Sequence, residues 1–292
     1  MLNNLKEKIK DLMKSDVKEI LQSVRNEKNL MGDRISFLNK NDGTPVTQAD
    51  IKIGKLFVEK LKEILPNSTV INEEDFNLDV FEHLNDYKYV WVVDPIDGTR
   101  AFCDIKNKKY CVGVALLEDM RPVLSVIYVP EFEINGNIDF IIEAIDSEDG
   151  IKIASKQYKV ESELKLSEIE YVCHIQNDDK LSDLENYIGE NYGEVEKIKS
   201  NFGHSTLINY ALVATSGLKR AFSKRKVNIW DIVQSAYIVE KAGGKVFYED
   251  GTDVFPLDIS KCKFEDNKLV LPFTIAGTSE LKSILKKRSK ND

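Results

Sequence analysis

A chain of 292 residues, 42% hydrophobic and 31% charged, has the material for one large core or for two halves sharing an interface. Its net charge of -8 argues against general nucleic-acid binding, and no apolar run approaches the ~20 residues a membrane-spanning helix needs. Cys103, Cys111, Cys173 and Cys262 form no C-x-x-C pair; with three scattered histidines they make no zinc motif and read as the reduced thiols of a cytoplasmic protein, and the amphipathic amino terminus lacks a signal-peptide core.

From Leu2 to Val24, the apolar residues Leu5, Ile9, Leu12, Ile20, Leu21 and Val24 keep near-helical spacing among lysines and acids, which predicts a long surface helix. A polar passage from Asn39 to Val46 has loop composition. Ile53, Leu56, Phe57, Leu61, Ile64 and Leu65 then predict a helix over about 48–65, ended by Pro66. Thr47 and Asp50 have the spacing of a capping box at its start, which does not prevent Asp50 from facing a site. Ser68–Asn72 is a short strand running into Glu73-Glu74-Asp75, three adjacent acids that repel one another unless solvated or neutralised by a cation.

Tyr89-Val90-Trp91-Val92-Val93 reads as a buried strand that stops at Asp94-Pro95, because proline donates no amide hydrogen and restricts its predecessor. Asp94 and Asp97 then project from the strand end, beside Gly98, which lets backbone approach a ligand, and Thr99, which adds a hydroxyl. Hard anions with free amides nearby suit a divalent cation beside a phosphate. Residues 112–117 and 123–129 predict paired strands joined by a polar turn, and 138–144 and 150–154 extend an antiparallel meander. The division expected is a half over 1–154 with most of the acids and a half over 155–292.

After the charged stretch 155–168, residues 169–173 predict a strand and about 180–190 a helix. Gly203-His204-Ser205-Thr206 precedes a small-residue helix through Ala214, and 218–223 predicts a strand followed by Lys224-Arg225-Lys226. Asn228-Ile229-Trp230-Asp231 opens a helix closed by Gly243-Gly244; 245–248 and 273–276 read as strands and 280–287 as a terminal helix.

Taken in order, Asn72-Glu73-Glu74-Asp75, Asp94-Pro95-Ile96-Asp97-Gly98-Thr99, Ile229-Trp230-Asp231 and Ala242-Gly243-Gly244 resemble the inositol monophosphatase superfamily. Its members include inositol monophosphatases, 3',5'-bisphosphate nucleotidases, archaeal-type fructose-1,6-bisphosphatases and a class of histidinol-phosphate phosphatases. The resemblance implies a layered αβαβα sandwich of α/β (α+β) class and a phosphomonoesterase using two or three Mg2+ ions, with Mn2+ as a substitute. It matches Glu73, Asp94 and the Ile96 carbonyl to a first metal, and Asp94, Asp97 and Asp231 to a second. Glu73 also matches a weaker third-metal ligand, with Glu74 in support; Thr99, paired with Asp50, matches the group that orients and deprotonates the attacking water. The amides of Gly98 and Thr99 match the phosphate cradle, and Lys40 and His204 match groups near the substrate. Lys40 also reads as a solvated loop lysine, and His204 as part of a polar helix start.

Inositol monophosphatases carry an acid several residues before the W-D aspartate, where this chain has Ser223-Lys224-Arg225-Lys226. A basic cluster there suits a second anionic group, which tilts the reading to a 3'(2'),5'-bisphosphate nucleotidase, with inositol monophosphatase next. Arg121-Pro122-Val123-Leu124 tilts the other way, towards the histidinol-phosphate phosphatases. The expected partner is a small phosphorylated metabolite; relatives are commonly dimers, and many are inhibited by lithium. The other functional class is a non-hydrolytic sensor of metal or phosphometabolite, which loss of an expected acid would mark; none is lost.

Overall fold

The computed structural model describes residues 1–26, 35–40, 43, 45–75, 78–160, 169–175, 183–192, 195–199, 205–224, 226–265 and 268–288. The amino-terminal helix is one run made of α1 (Leu2–Leu12), a wider turn over Met13–Val17, and α2 (Lys18–Asn26). Its buried stripe is Leu5, Ile9, Met13, Val17, Leu21 and Val24. Steps of four residues outrun the 3.6-residue period, and the wide turn absorbs the excess. Leu12 and Ile20 lie beside this stripe, half-buried, and Met13 and Val17 take the central places.

The stretch expected to be loop contains a small hairpin instead, β1 (Leu38–Asn39) paired with β2 (Pro45–Val46). Helix α3 (Gln48–Ile64) follows, with Thr47 as its cap. A seven-stranded sheet is then laid down in chain order. Its strands are β3 (Ser68–Asn72), β4 (Tyr89–Asp97), β5 (Cys111–Glu118), β6 (Arg121–Val129), β7 (Phe140–Ile145), β8 (Ile151–Ile153) and β9 (Lys156–Tyr158). Short helices α4 (Leu78–Glu82) and α5 (Thr99–Cys103) lie between them in the chain. Only β3 and β4 pair in parallel. Strand β4 does not stop at Pro95: it runs on to Asp97 through a register shift between Asp94 and Asp97. A bulge tolerates proline because the ladder asks for no donor there. The β5–β6 turn is just Asp119-Met120, both at positive φ, so Arg121 and Pro122 already belong to the strand.

The second sheet has the order β11-β10-β12-β17-β14, from β10 (Glu170–Ile175), β11 (Val195–Lys199), β12 (Arg220–Lys224), β14 (Lys245–Tyr248) and β17 (Thr274–Gly277). Strand β11 carries only two apolar residues and escapes hydrophobic pattern reading, as an edge strand can. Helices α6 (Asp183–Tyr192), α7 (Thr206–Thr215), α8 (Val233–Lys241) and α9 (Ser279–Arg288) belong to this half. A small sheet pairs β13 (Val227–Asn228) with β16 (Lys268–Leu271), which also pairs with β15 (Lys263–Glu265).

Three apolar layers account for the architecture. Trp91, Val93, Val112, Val114, Val126 and Tyr128 face α1–α3 on one side of the first sheet. Their alternate neighbours Val90, Val92, Ala115 and Ile127 share a second core with α7, α8 and residues of the second sheet, including Val172, Phe222 and Val246. Tyr171, Ala221, Phe247 and Ile275, facing the other way, pack with Ile188 of α6 and with Leu281 and Leu285 of α9. Period-two alternation of the strands thus separates the helical layers, giving the expected αβαβα order. Helix α7 is buried on nearly every side because it lies between two sheets, which explains its small residues. No helix among the described residues is long and apolar enough to cross a membrane.

Candidate metal centre

The acids meet where the ends of β3 and β4 approach the turn before α8. Glu73 follows β3, Asp94 and Asp97 lie on the bulged end of β4, and Asp231 closes the short turn Ile229–Asp231. Oxygens of Glu73, Asp94 and Asp231 all lie within 4.8 Å of one another. Asp94 is fully buried, and neither of its carboxylate oxygens has a hydrogen-bond partner. A buried carboxylate without a donor is costly unless it is protonated or meets a cation. Burial and then the charge of Glu73 push the Asp94 carboxyl well above its ordinary range. The same causes act on Glu73: burial outweighs the attraction of Lys40 and raises it to about 7. A bare set of oxygen donors, with no histidine or thiolate among them, fits Mg2+ or Mn2+.

Asp97 stands next to this group and is spent differently. Its Oδ2 accepts from the Ser205 hydroxyl and the Leu207 amide, both at 2.5 Å, and its Oδ1 accepts from the Thr206 amide at 3.1 Å. Both oxygens therefore face the amino end of α7, where negative charge is favoured. Burial and the Asp231 charge nevertheless raise Asp97 to about 7.

Asp50 does two things at once. Its Oδ2 accepts from the Thr47 amide at 2.8 Å and the Thr47 hydroxyl at 2.5 Å, completing a capping box. Its Oδ1 accepts from the Thr99 hydroxyl at 3.2 Å. That hydroxyl is also 3.0 Å from the Ile96 carbonyl, so one proton is shared between two acceptors. Burial raises Asp50 to about 6. Gly98 has φ +89, and a Cβ there would lie 2.9 Å from the Lys109 carbonyl oxygen, so only glycine fits this turn.

Two ammonium groups bracket the acids. Lys40 Nζ donates to Glu73 at 2.9 Å and to Glu74 at 2.7 Å; burial opposes its charge, but the two carboxylates outweigh that and raise it. Lys224 Nζ is 3.2 Å from Asp231 Oδ2 and 2.8 Å from the Thr206 hydroxyl.

The sequence profile of the inositol monophosphatase family matches residues 3–281. The chain belongs to that family. Among curated relatives, the 3'(2'),5'-bisphosphate nucleotidase CysQ of Buchnera aphidicola is 29% identical over 213 residues, 71% of this chain and 72% of that protein. The CysQ of Haemophilus influenzae is 38% identical over 91 residues, 31% of this chain and only a third (33%) of its own length. Among solved structures, a staphylococcal inositol monophosphatase-1 superposes with a TM-score of 0.72 at 20% identity, covering 98% of this chain and 94% of that one. The Thermotoga maritima IMPase gives 0.70 at 18%, covering 99% and 97%. At such identities the likeness is one of fold.

Of the residues singled out from the sequence of this family member, Glu73, Asp94 and Asp231 meet, and Asp50 meets Thr99. Asp97 and the Ile96 carbonyl adjoin them but are engaged by α7 and by Thr99. Lys40 touches Glu73 and Glu74, and Lys224 touches Asp231, whereas His204 lies outside the described residues. Pattern reading missed Ser205, which caps α7 while holding Asp97, and Asn228, whose amide donates to Asp231 Oδ2 at 3.1 Å. A serine before an apolar helix is a readable cap signal, but nothing local in the sequence ties it to an acid 108 positions away.

Proposed function

We propose that this chain is a divalent-metal-dependent phosphomonoesterase for a small phosphorylated metabolite, favouring an ester with a second anionic group, of the 3'(2'),5'-bisphosphate nucleotide class, in a cytoplasmic setting. The observation that carries the reading is Asp94, fully buried with both oxygens unpartnered, facing Glu73 and Asp231. Glu73, Asp94 and Asp231 would hold Mg2+ or Mn2+, with Asp97 and the Ile96 carbonyl adjoining. Bound there, the ions supply neutralisation of phosphate charge, a lowered water pKa and stabilisation of the leaving oxygen.

The protein's own groups do the rest. Above its pKa of about 6, Asp50 accepts the Thr99 proton on Oδ1 and turns a lone pair of the Thr99 oxygen towards the site. As that oxygen takes a proton from the attacking water, its own proton passes to Asp50 Oδ1, so the step leaves Thr99 as the alcohol and Asp50 as the neutral acid. Gly98 allows close approach of the main chain to the phosphate, and Lys40 supplies positive charge on the Glu73 side. Lys224, where an inositol monophosphatase would present an acid, favours an anionic substrate over a sugar hydroxyl. Matches to CysQ nucleotidases support the same branch.

Phosphate release with Mg2+ from adenosine 3',5'-bisphosphate, inositol 1-phosphate, fructose 1,6-bisphosphate and histidinol phosphate tests the reading. Asp94→Asn serves as the control. Preference for the bisphosphate nucleotide, lost in Asp94→Asn, is expected. Preference for inositol 1-phosphate would overturn the branch, and no turnover of any ester would overturn the activity.

A further inference from the structure

Thr99 is the first residue of α5, a helix only five residues long. A single turn gains too little from its own hydrogen bonds to hold a fixed pose. Burial of Ala101, Phe102 and Cys103 keeps it on the core, but apolar contact is non-directional. Direction comes from what grips the last carbonyls of the turn. The Cys103 carbonyl accepts from the Ile35 amide at 2.9 Å, and the Phe102 carbonyl accepts from Arg25 Nη1 at 2.8 Å. Arg25 Nη2 donates to the Ile105 carbonyl just beyond, at 3.0 Å.

The guanidinium is itself held in place. Its Nε and Nη2 meet the two oxygens of Glu131 at 3.0 and 3.1 Å, a bidentate pair on the connection after β6. The Tyr110 hydroxyl donates to the same carboxylate at 2.7 Å. The guanidinium carbon lies 5.6 Å from the centre of the Phe102 ring and 5.1 Å from that of Tyr110. Arg25 belongs to the last turn of α2, so one side chain ties the amino-terminal helix to the turn that begins with Thr99. At that other end the tolerance is small. Thr99 Oγ1 reaches Asp50 Oδ1 at 3.2 Å, already long for a hydrogen bond between oxygens.

On the relay reading given above, we propose that Arg25 is a positioning residue for hydrolysis, whose grip on the carboxyl end of α5 sets where Thr99 meets Asp50. A small slip of the turn parts these two groups. Glu73, Asp94 and Asp231 stand on other elements and keep their places.

Phosphate release from adenosine 3',5'-bisphosphate, or from the ester of the panel above that is turned over fastest, tests this beside Mn2+ titration. Arg25→Lys keeps the charge and loses the fork, and Arg25→Ala loses both. In each, kcat should fall about tenfold to a hundredfold, with KM and Mn2+ affinity within about twofold of native. If Arg25→Ala does not fold, Arg25→Lys carries the comparison. In a Thr99→Val background, with no relay left to misplace, Arg25→Lys should cost less than about threefold. Equal costs in the two backgrounds, or Mn2+ binding weakened in step with kcat, would make Arg25 merely structural. An unchanged kcat in Arg25→Lys would also overturn its role, and each of these results leaves the Thr99–Asp50 relay standing. Full turnover by Thr99→Val alone would bring down the relay and the part of Arg25 in it together, as would a native protein that hydrolyses none of the esters.

Discussion

Asp94 and Asp97 lie three residues apart on one bulged strand, yet replacing them with asparagine is expected to lower metal-free stability at Asp97 alone. Each oxygen of Asp97 faces a main-chain N–H of α7, Leu207 on one side and Thr206 on the other. Whichever way an asparagine amide turns, its NH2 group confronts one of those donors. One buried donor left without an acceptor costs about 1–3 kcal/mol. Relief of the burial and of the Asp231 repulsion that raise Asp97 to about 7 offsets the charge lost at the helix amino end, so the expected loss stays at about 1–3 kcal/mol. Asp94 has no donor to lose, and its neighbours Glu73, Asp97 and Asp231 all repel it. Asp94→Asn is therefore expected to leave stability unchanged or raise it by up to about 2 kcal/mol, by relieving a buried like-charge contact. Urea unfolding in EDTA at pH 8, with both variants beside the native protein, reads the difference directly. Both variants should be poor catalysts, so activity does not separate them. A stability loss in Asp94→Asn as large as that in Asp97→Asn would refute the assignment of Asp97 to α7 and of Asp94 to a cation.

The pH dependence of the metal-free protein has a definite sign. Glu73 and Asp97 at about 7 and Asp50 at about 6 all lie above ordinary carboxylates, chiefly through burial. Between roughly pH 4 and 7 the folded chain then holds more protons than the unfolded one, so stability falls as pH rises through that window. Melting in EDTA should be higher at pH 5 than at pH 8, and saturating Mg2+ should remove the decline; a rise from pH 5 to 8 in EDTA contradicts the buried-acid account. Thr99→Val keeps the shape and removes the proton relay to Asp50; turnover should fall about a hundredfold or more, with Mn2+ affinity by titration nearly unchanged. Gly98→Ala combines positive φ with a close approach to the Lys109 carbonyl, and denaturant unfolding should register a loss of about 1–3 kcal/mol.

Much of this was legible in the chain. Strands β4–β7 declared themselves through apolar runs, α3 through its cap and Pro66, and the acids through their order along the sequence. What escaped was set by partners distant in sequence. Strand β4 passes Pro95 because a bulge excuses the missing donor, a fact of pairing with β5 that composition does not carry. The hairpin of β15 and β16 was missed because its strands are only three and four residues long, and its place depends on pairing with Val227 and Asn228. The partition among the acids was the least visible. Asp94 and Asp97 look equivalent in the motif, and only the placement of α7 makes one a bare ligand and the other a cap.

The hairpin of β1 and β2 differs in kind from the elements that carry the acids. Two residues long on each arm, it brings Lys40 to Glu73 and Glu74 while leaving Leu38 and Phe37 open to solvent. Asp94 and Asp97 sit on a strand packed on both faces, and Glu73 and Asp231 directly follow or close buried elements, so their positions are inherited with the core. The hairpin is tied down at its ends, by Ile35 in the core beside α1–α3 with its amide on the Cys103 carbonyl and by the buried Pro45, while its first arm stays open. Substitution of the exposed Phe37 and Leu38 should thus be tolerated by the scaffold, making this arm a place where evolution, or a designer, can retune selectivity while the acids keep their positions.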